Sequence, residues 1–235
     1  MEPFEDRLAR VRDRIAAACR RVGNDPGEIR IVAITKGHPA AVIDETTAAS
    51  LTDIGENRVQ EAISKFATAA GALSRSGVRR HMVGHLQRNK VRDAVEIFDW
   101  VQSIDSVRLA RALSQRMAGR TERMQVLIEV NAGMEGQKHG FALEAAIEGG
   151  LEIAELPGLA VRGVMAMAPW TDDEAELRRS FGAARRVFEE LRAECSGQVS
   201  LDTLSMGMSN DYGVAIEEGA TMVRLGTALF GPHGG

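Results

Sequence analysis

The chain has 235 residues, 44% of them hydrophobic and 26% charged, which is enough to enclose a full core and reads as one domain over residues 1–235. Its formal net charge of -4, with Lys and Arg spread along the chain, argues against nucleic acid or an acidic membrane as the main partner. No apolar run reaches the length of a membrane span, and Cys19 and Cys195 lie far apart without metal spacing, so a cytoplasmic protein with free thiols is expected.

From Phe4, apolar residues recur at Leu8, Val11, Ile15 and Val22 among arginines and acids, which predicts an amphipathic helix before any strand. Short β-branched runs follow in order: IRIVAITK, LTDIGEN, RRHMVGH, WVQSID, MQVLIEVN, LAVRGVMAMA, DTLSMG and MVRLGT. Helix-patterned segments such as NRVQEAISKFATAA, NKVRDAVEIF and SVRLARALSQRMAG lie between them. One helix and then roughly eight strand-helix units predict an α/β fold, a (β/α)8 barrel of the TIM type with an extra N-terminal helix. An open doubly wound sheet is the alternative, and its dinucleotide-binding form loses support because no G-x-G-x-x-G follows the first run.

In such a barrel the chemistry sits at the carboxyl ends of the strands. Lys36 ends the first run, Glu56 and Asn57 the second, His81 and His85 the third, and Asn131 the fifth. The last two runs finish in LSMGMSN and RLGTALFG, which place Ser205, Gly207, Ser209, Gly226 and Thr227 where barrels build phosphate sites. Small residues there let backbone N–H groups approach a phosphate, and the hydroxyls add donors. A phosphate cradle at one side of the mouth and a lysine at the other suit pyridoxal 5'-phosphate, whose aldehyde condenses with an amine.

Each residue also has a plainer reading. Lys36 alone is a solvated strand flank, Ser205 and Ser209 a turn and a helix N-cap, Asn57 a cap for the helix that follows, and Arg224 the partner of an acid on a neighbouring strand. His81 and His85 have no third ligand at metal spacing and read as structural, so no metal is expected. Met165, Met167, Met206 and Met208 read as core filler. The segment GMEGQKHGF, with Lys138 and His139, reads as a loop over the mouth or a plain solvated loop.

The segments VAITKGHP, IGENRVQE, HMVGHLQRNK, LSMGMSND and TMVRLGTALFG, in this order and over nearly the whole chain, resemble the family of pyridoxal phosphate homeostasis proteins, the YggS/PROSC family. The resemblance implies a fold-type III barrel like the N-terminal domain of alanine racemase, with pyridoxal phosphate as a Schiff base on Lys36. It further implies that Ser205, Ser209, Gly226 and Thr227 hold the phosphate, that Arg224 faces the ring nitrogen, and that Asn57 borders the cofactor pocket. Arg80 stands where the family often has tryptophan, and NDYGVAI lacks its more usual acidic residue.

Two functions fit such a barrel. A racemase or lyase acting through Lys36 needs groups on both faces of the ring to move a proton. Racemases of this type add a second β-domain and a catalytic tyrosine, whereas this sequence ends soon after RLGTALFG and its one tyrosine, Tyr212, follows the seventh run. The expectation is therefore a monomeric carrier without a catalytic residue, which holds pyridoxal phosphate and supplies it to apo-enzymes.

Overall fold

A computed structural model describes residues 2–133, 139–195 and 200–232, so Lys138 of the expected mouth loop lies outside the described residues. Phe4, Leu8, Val11 and Ile15 form one buried stripe on α1 (Phe4–Val22), the helix their spacing predicts. The chain then runs through β1 (Arg30–Ile34), α2 (Ala41–Ala48), β2 (Asp53–Glu56), α3 (Val59–Thr68), α4 (Ala70–Ser76) and β3 (Arg79–Met82). It continues through α5 (Val91–Ile97), β4 (Trp100–Ile104), α6 (Val107–Met117), β5 (Met124–Val130), α7 (Leu143–Ala154) and β6 (Leu159–Ala166). The last elements are α8 (Glu174–Glu194), β7 (Thr203–Ser205), α9 (Tyr212–Glu217), β8 (Met222–Leu225) and α10 (Thr227–Phe230).

Every predicted run is a strand. The eight strands pair in sequence order, all parallel, and β8 pairs with β1 to close the ring, which excludes the open sheet. Alternation along each strand divides the apolar residues into two clusters. Ala33, Ile54, Met82, Val126, Val164, Leu204 and Val223 face outward and pack on the helices. Val32, Ile34, Val83, Trp100, Leu127, Met165 and Met222 fill the barrel interior. By the same parity Arg224 points inward, two residues after Met222.

The N-terminal helix covers the closing seam. Phe4 stacks on Phe230 of α10 with ring centroids 5.5 Å apart, and Arg14 lies over the Tyr212 ring of α9 at 4.5 Å. Tyr212 is thus buried beneath α1. Among the described residues no helix is long and apolar enough to cross a membrane.

Candidate functional site

Beyond Ile34 the chain turns across the barrel rim, leaving the Lys36 side chain exposed. Its neighbours are tied down. Lys65 of α3, only 7% exposed, donates to the Thr35 carbonyl at 2.6 Å and pairs with Glu56 at 2.6 Å and Glu61 at 3.1 Å. The Thr35 hydroxyl donates to the same Glu56 oxygen, and the Gly37 N–H donates to Glu61 at 2.7 Å. Burial raises the Glu56 carboxyl despite Lys65 and Thr35, whereas the burial of Glu61 is outweighed by the Gly37 amide and Lys65, which lower it. The residues on either side of Lys36 are therefore anchored to α3 and β2, and the exposed amine leaves the rim from a fixed base. Sequence reasoning missed Lys65. Its only local signal was an acid four residues earlier at helical spacing.

Inside the barrel, Arg224 is 5% exposed and donates to the Ser205 carbonyl and hydroxyl, each at 2.8 Å, and to the Ala166 carbonyl at 2.9 Å. It makes no ion pair among the described residues, so the plainer reading as a partner of a neighbouring acid does not hold. Burial lowers the guanidinium to about 10 against the opposing charges of Asp211 and Glu129, and it stays protonated at neutral pH. The Ser205 hydroxyl donates onward to Gln102 at 2.7 Å, the Gln102 amide meets His81 Nδ1 at 3.0 Å, and His81 Nε2 meets Asp53 at 2.8 Å. Arg79 closes the column with bonds of 2.8 and 2.6 Å to Asp53.

Donor and acceptor chemistry gives this column one direction. A guanidinium only donates, so the Ser205 oxygen accepts from Arg224 and its proton goes to the Gln102 carbonyl. The Gln102 N–H then meets a bare His81 Nδ1, and Nε2–H donates to the Asp53 carboxylate. Burial lowers His81 and keeps it neutral. Burial alone would raise Asp53, but the His81 and Arg79 donors hold it at about 2.

Ser205 is wholly buried at the end of β7, where its hydroxyl accepts from Arg224 and donates to Gln102. One expectation changes here. His81, expected with His85 at a strand end, lies within β3 and stacks on Trp100 with centroids 5.2 Å apart. Asp53 and Gln102 were not anticipated. The available signal was a polar residue at inward parity in a strand buried along its whole length, as in WVQSI.

The remaining predicted residues lie at the rim. Ser209 accepts from the Ala228 N–H at 3.0 Å and so ties the turn after β7 to α10, with half-buried Gly226 and exposed Thr227 beside it. Because Val32 pairs with Arg224 and Ala33 with Leu225, these residues share one side of the mouth with Lys36. The expectation that lysine and cradle occupy opposite sides is thus corrected, since closure makes the first and last strands neighbours. Asn57 is half-buried at the end of β2, and α3 begins after Arg58 without a side-chain cap, so Asn57 does not cap it. Its backbone is closely packed, because a Cβ at Gly84 would come within 2.4 Å of the Asn57 carbonyl oxygen.

Elsewhere, a cleft of about 860 Å³ between α5 and α6 gathers Arg88, Arg92, Arg108, Arg111 and Arg116, a local basic concentration that their spacing in sequence hid. Met165 and Met206 are fully buried, as core filler should be, and both cysteines are buried free thiols.

A closed parallel barrel with a lysine just beyond β1 and a buried arginine on β8 defines the barrel class of alanine racemase, and residues 7–234 match the family described as alanine racemase, N-terminal domain. The chain is 40% identical over 232 residues to the pyridoxal phosphate homeostasis protein of Escherichia coli K12, covering 98% of this chain and 97% of that one. It belongs to the family of pyridoxal phosphate homeostasis proteins, as its motifs suggested. Among solved structures, PipY of Synechococcus elongatus with PLP bound superimposes with a TM-score of 0.83 at 35% identity, covering 97% of this chain and all 100% of that one. A protein of Bifidobacterium adolescentis described as unknown gives a TM-score of 0.91 at 34% identity, covering 97% and 94%.

Replacing Lys65 with Met leaves Glu56 buried without its cation, so Lys65→Met is expected to lower unfolding stability at neutral pH by about 3 kcal/mol or more. Chemical denaturation checks this, and a loss below about 1 kcal/mol, the value of an exposed pair, contradicts the clamp. The neutral state of His81 has its own signature. An unfolded histidine takes up a proton below its ordinary value of 6.5 while the folded one does not, so this residue lowers stability as pH falls through that value. Between about pH 7.5 and pH 5.5 the wild type is expected to lose about 1 kcal/mol more stability than His81→Gln, measured by urea unfolding at both pH values.

Proposed function

We propose that this chain binds pyridoxal 5'-phosphate at the carboxyl end of its barrel through Lys36 and serves cofactor homeostasis, holding the cofactor and supplying or buffering it for apo-enzymes in the cytoplasm. The observation that carries this reading is the pairing of β1 with β8, which brings an exposed lysine, a buried guanidinium and two small-residue turns to one side of the mouth. When bound, the cofactor supplies an aldehyde whose bond to an amine forms and breaks reversibly. Lys36 offers that amine from its anchored turn. Ser209, Gly226 and Thr227 offer hydroxyl and backbone donors to the phosphate, and Asn57 borders the pocket from β2.

Arg224 is the residue assigned to the ring nitrogen, with Ser205 and the interior column fixing its orientation. A guanidinium would donate a hydrogen bond there without surrendering its proton. The names of the curated relatives support the role in homeostasis, and so does Tyr212, which is turned onto Arg14 and not offered as an acid or base. Free buried Cys19 and Cys195 agree with a reducing cytoplasm.

Borohydride reduction of the loaded chain followed by peptide mapping is expected to place the label on Lys36. With a separate, unreduced portion of the loaded chain, incubation with L- and D-amino acids and then with an apo-enzyme is expected to give reactivation without turnover. Rapid racemisation or elimination that disappears in Lys36→Ala would move the assignment to a racemase or lyase, and a label elsewhere would reject Lys36. Thr227→Val is expected to weaken retention of pyridoxal phosphate by about 1.5–3 kcal/mol while leaving pyridoxal affinity unchanged. An equal loss for both ligands, read by spectral titration, would argue against a phosphate contact.

A further inference from the structure

The side of the mouth built by β3, β4 and β5 carries a second polar cluster that the cofactor reading leaves unused. His85 follows β3, Asp105 follows β4, and His139 lies beside the end of β5, where the Phe141 N–H donates to the Glu129 carbonyl at 2.8 Å. His85 Nδ1 stands 3.1 Å and His139 Nδ1 3.9 Å from the same Asp105 oxygen. One ligand atom from each of the three residues lies within 4.8 Å of the other two.

The two imidazoles stack with centroids 3.8 Å apart and planes inclined by 11°. The Asp105 carboxylate thus lies beside both rings, at 3.1 Å from one and at 3.9 Å, too long for a hydrogen bond, from the other. A tetrahedral ion with bonds of about 2.0–2.2 Å sets its donors about 3.3–3.6 Å apart. The two measured separations bracket that edge, and because the rings are stacked, one of the exposed histidine side chains, 38% and 57% exposed, must turn for both nitrogens to face the same ion.

A further observation points to the same place. Glu129 is 2% exposed, close enough to Asp105 for their charges to interact, and its Oε2 is buried without a hydrogen-bond partner. Water on an ion held by the cluster would give that oxygen a donor.

We propose that His85, Asp105 and His139 bind one divalent transition-metal ion of the zinc class through two imidazole nitrogens and a carboxylate, with at least one position open to water. This donor set suits zinc, cobalt or nickel better than magnesium or calcium, which favour oxygen ligands. The site does not depend on how the cofactor is held. It was invisible as a motif because its ligands come from three different strand ends.

The test titrates the tag-free full-length chain, stripped of metal by a chelator and dialysed, with Zn²⁺ against a chromophoric competitor. Wild type is expected to bind one equivalent, His139→Ala to bind at least about tenfold more weakly, and His85→Gln/His139→Gln to lose the site, with metal-free melting temperatures unchanged. Absence of zinc binding by wild type overturns the proposal. So does an affinity that His139→Ala leaves unaltered, which would mark an adventitious surface ion, and because His139 is exposed this single variant decides the matter if the double variant fails to fold.

Discussion

Closure of the barrel by β1 and β8 is the constraint on which the rest of the molecule depends. These strands come from nearly opposite ends of the chain, and their four registered pairs, from Arg30 with Met222 to Ala33 with Leu225, bring Lys36 beside the turns after β7 and β8. A contact of such long range must offset a large loop-closure entropy before it stabilises anything. The extra helix contributes at this seam. Through Phe4 against Phe230 and Arg14 against Tyr212 and the Asn210 carbonyl, α1 fastens the amino end of the chain over its carboxyl end.

A closed barrel must also fill its interior, and here it does so with charge as well as with apolar side chains. An arginine inside a protein is tolerated only when its donors find acceptors. Arg224 meets this condition through carbonyls at the ends of β6 and β7 and through Ser205, and the chain of bonds continues to Asp53 and Arg79. Each member orients the next, so the guanidinium has little freedom to rotate. The interior column thereby aims a permanent cation at the mouth.

The lysine beyond β1 is held in another way. Lys36 itself is free in solvent, while the backbone on both sides of it is bound by Lys65, Glu56 and Glu61. The opposite side of the mouth is chemically different, with two imidazoles and two carboxyls in place of an amine and hydroxyls. The rim is therefore divided into a half with an amine, a hydroxyl and small-residue turns and a half rich in imidazole and carboxyl donors.

The strands, the N-terminal helix and the barrel were legible in the sequence because they rest on local periodicity, and local periodicity survives in one dimension. Phe4, Leu8, Val11 and Ile15 announce α1, and runs such as RIVAI and MQVLIEV announce strands wherever they occur. Lys36, Ser209, Gly226 and Thr227 stood out because each follows a strand and a parallel barrel collects such positions at one end. What the sequence could not reveal is which strand ends are neighbours and which way a polar side chain turns. Ser205 meets Gln102 and Arg224 only because its parity on β7 turns it into the closed barrel. Lys65 reads like a solvated helix residue until α3 packs it onto Glu56, and His85 acquires Asp105 and His139 only when three separate turns converge. Periodicity is a property of a few consecutive residues and follows from the sequence itself, whereas pairing between distant residues exists only once the ring has closed.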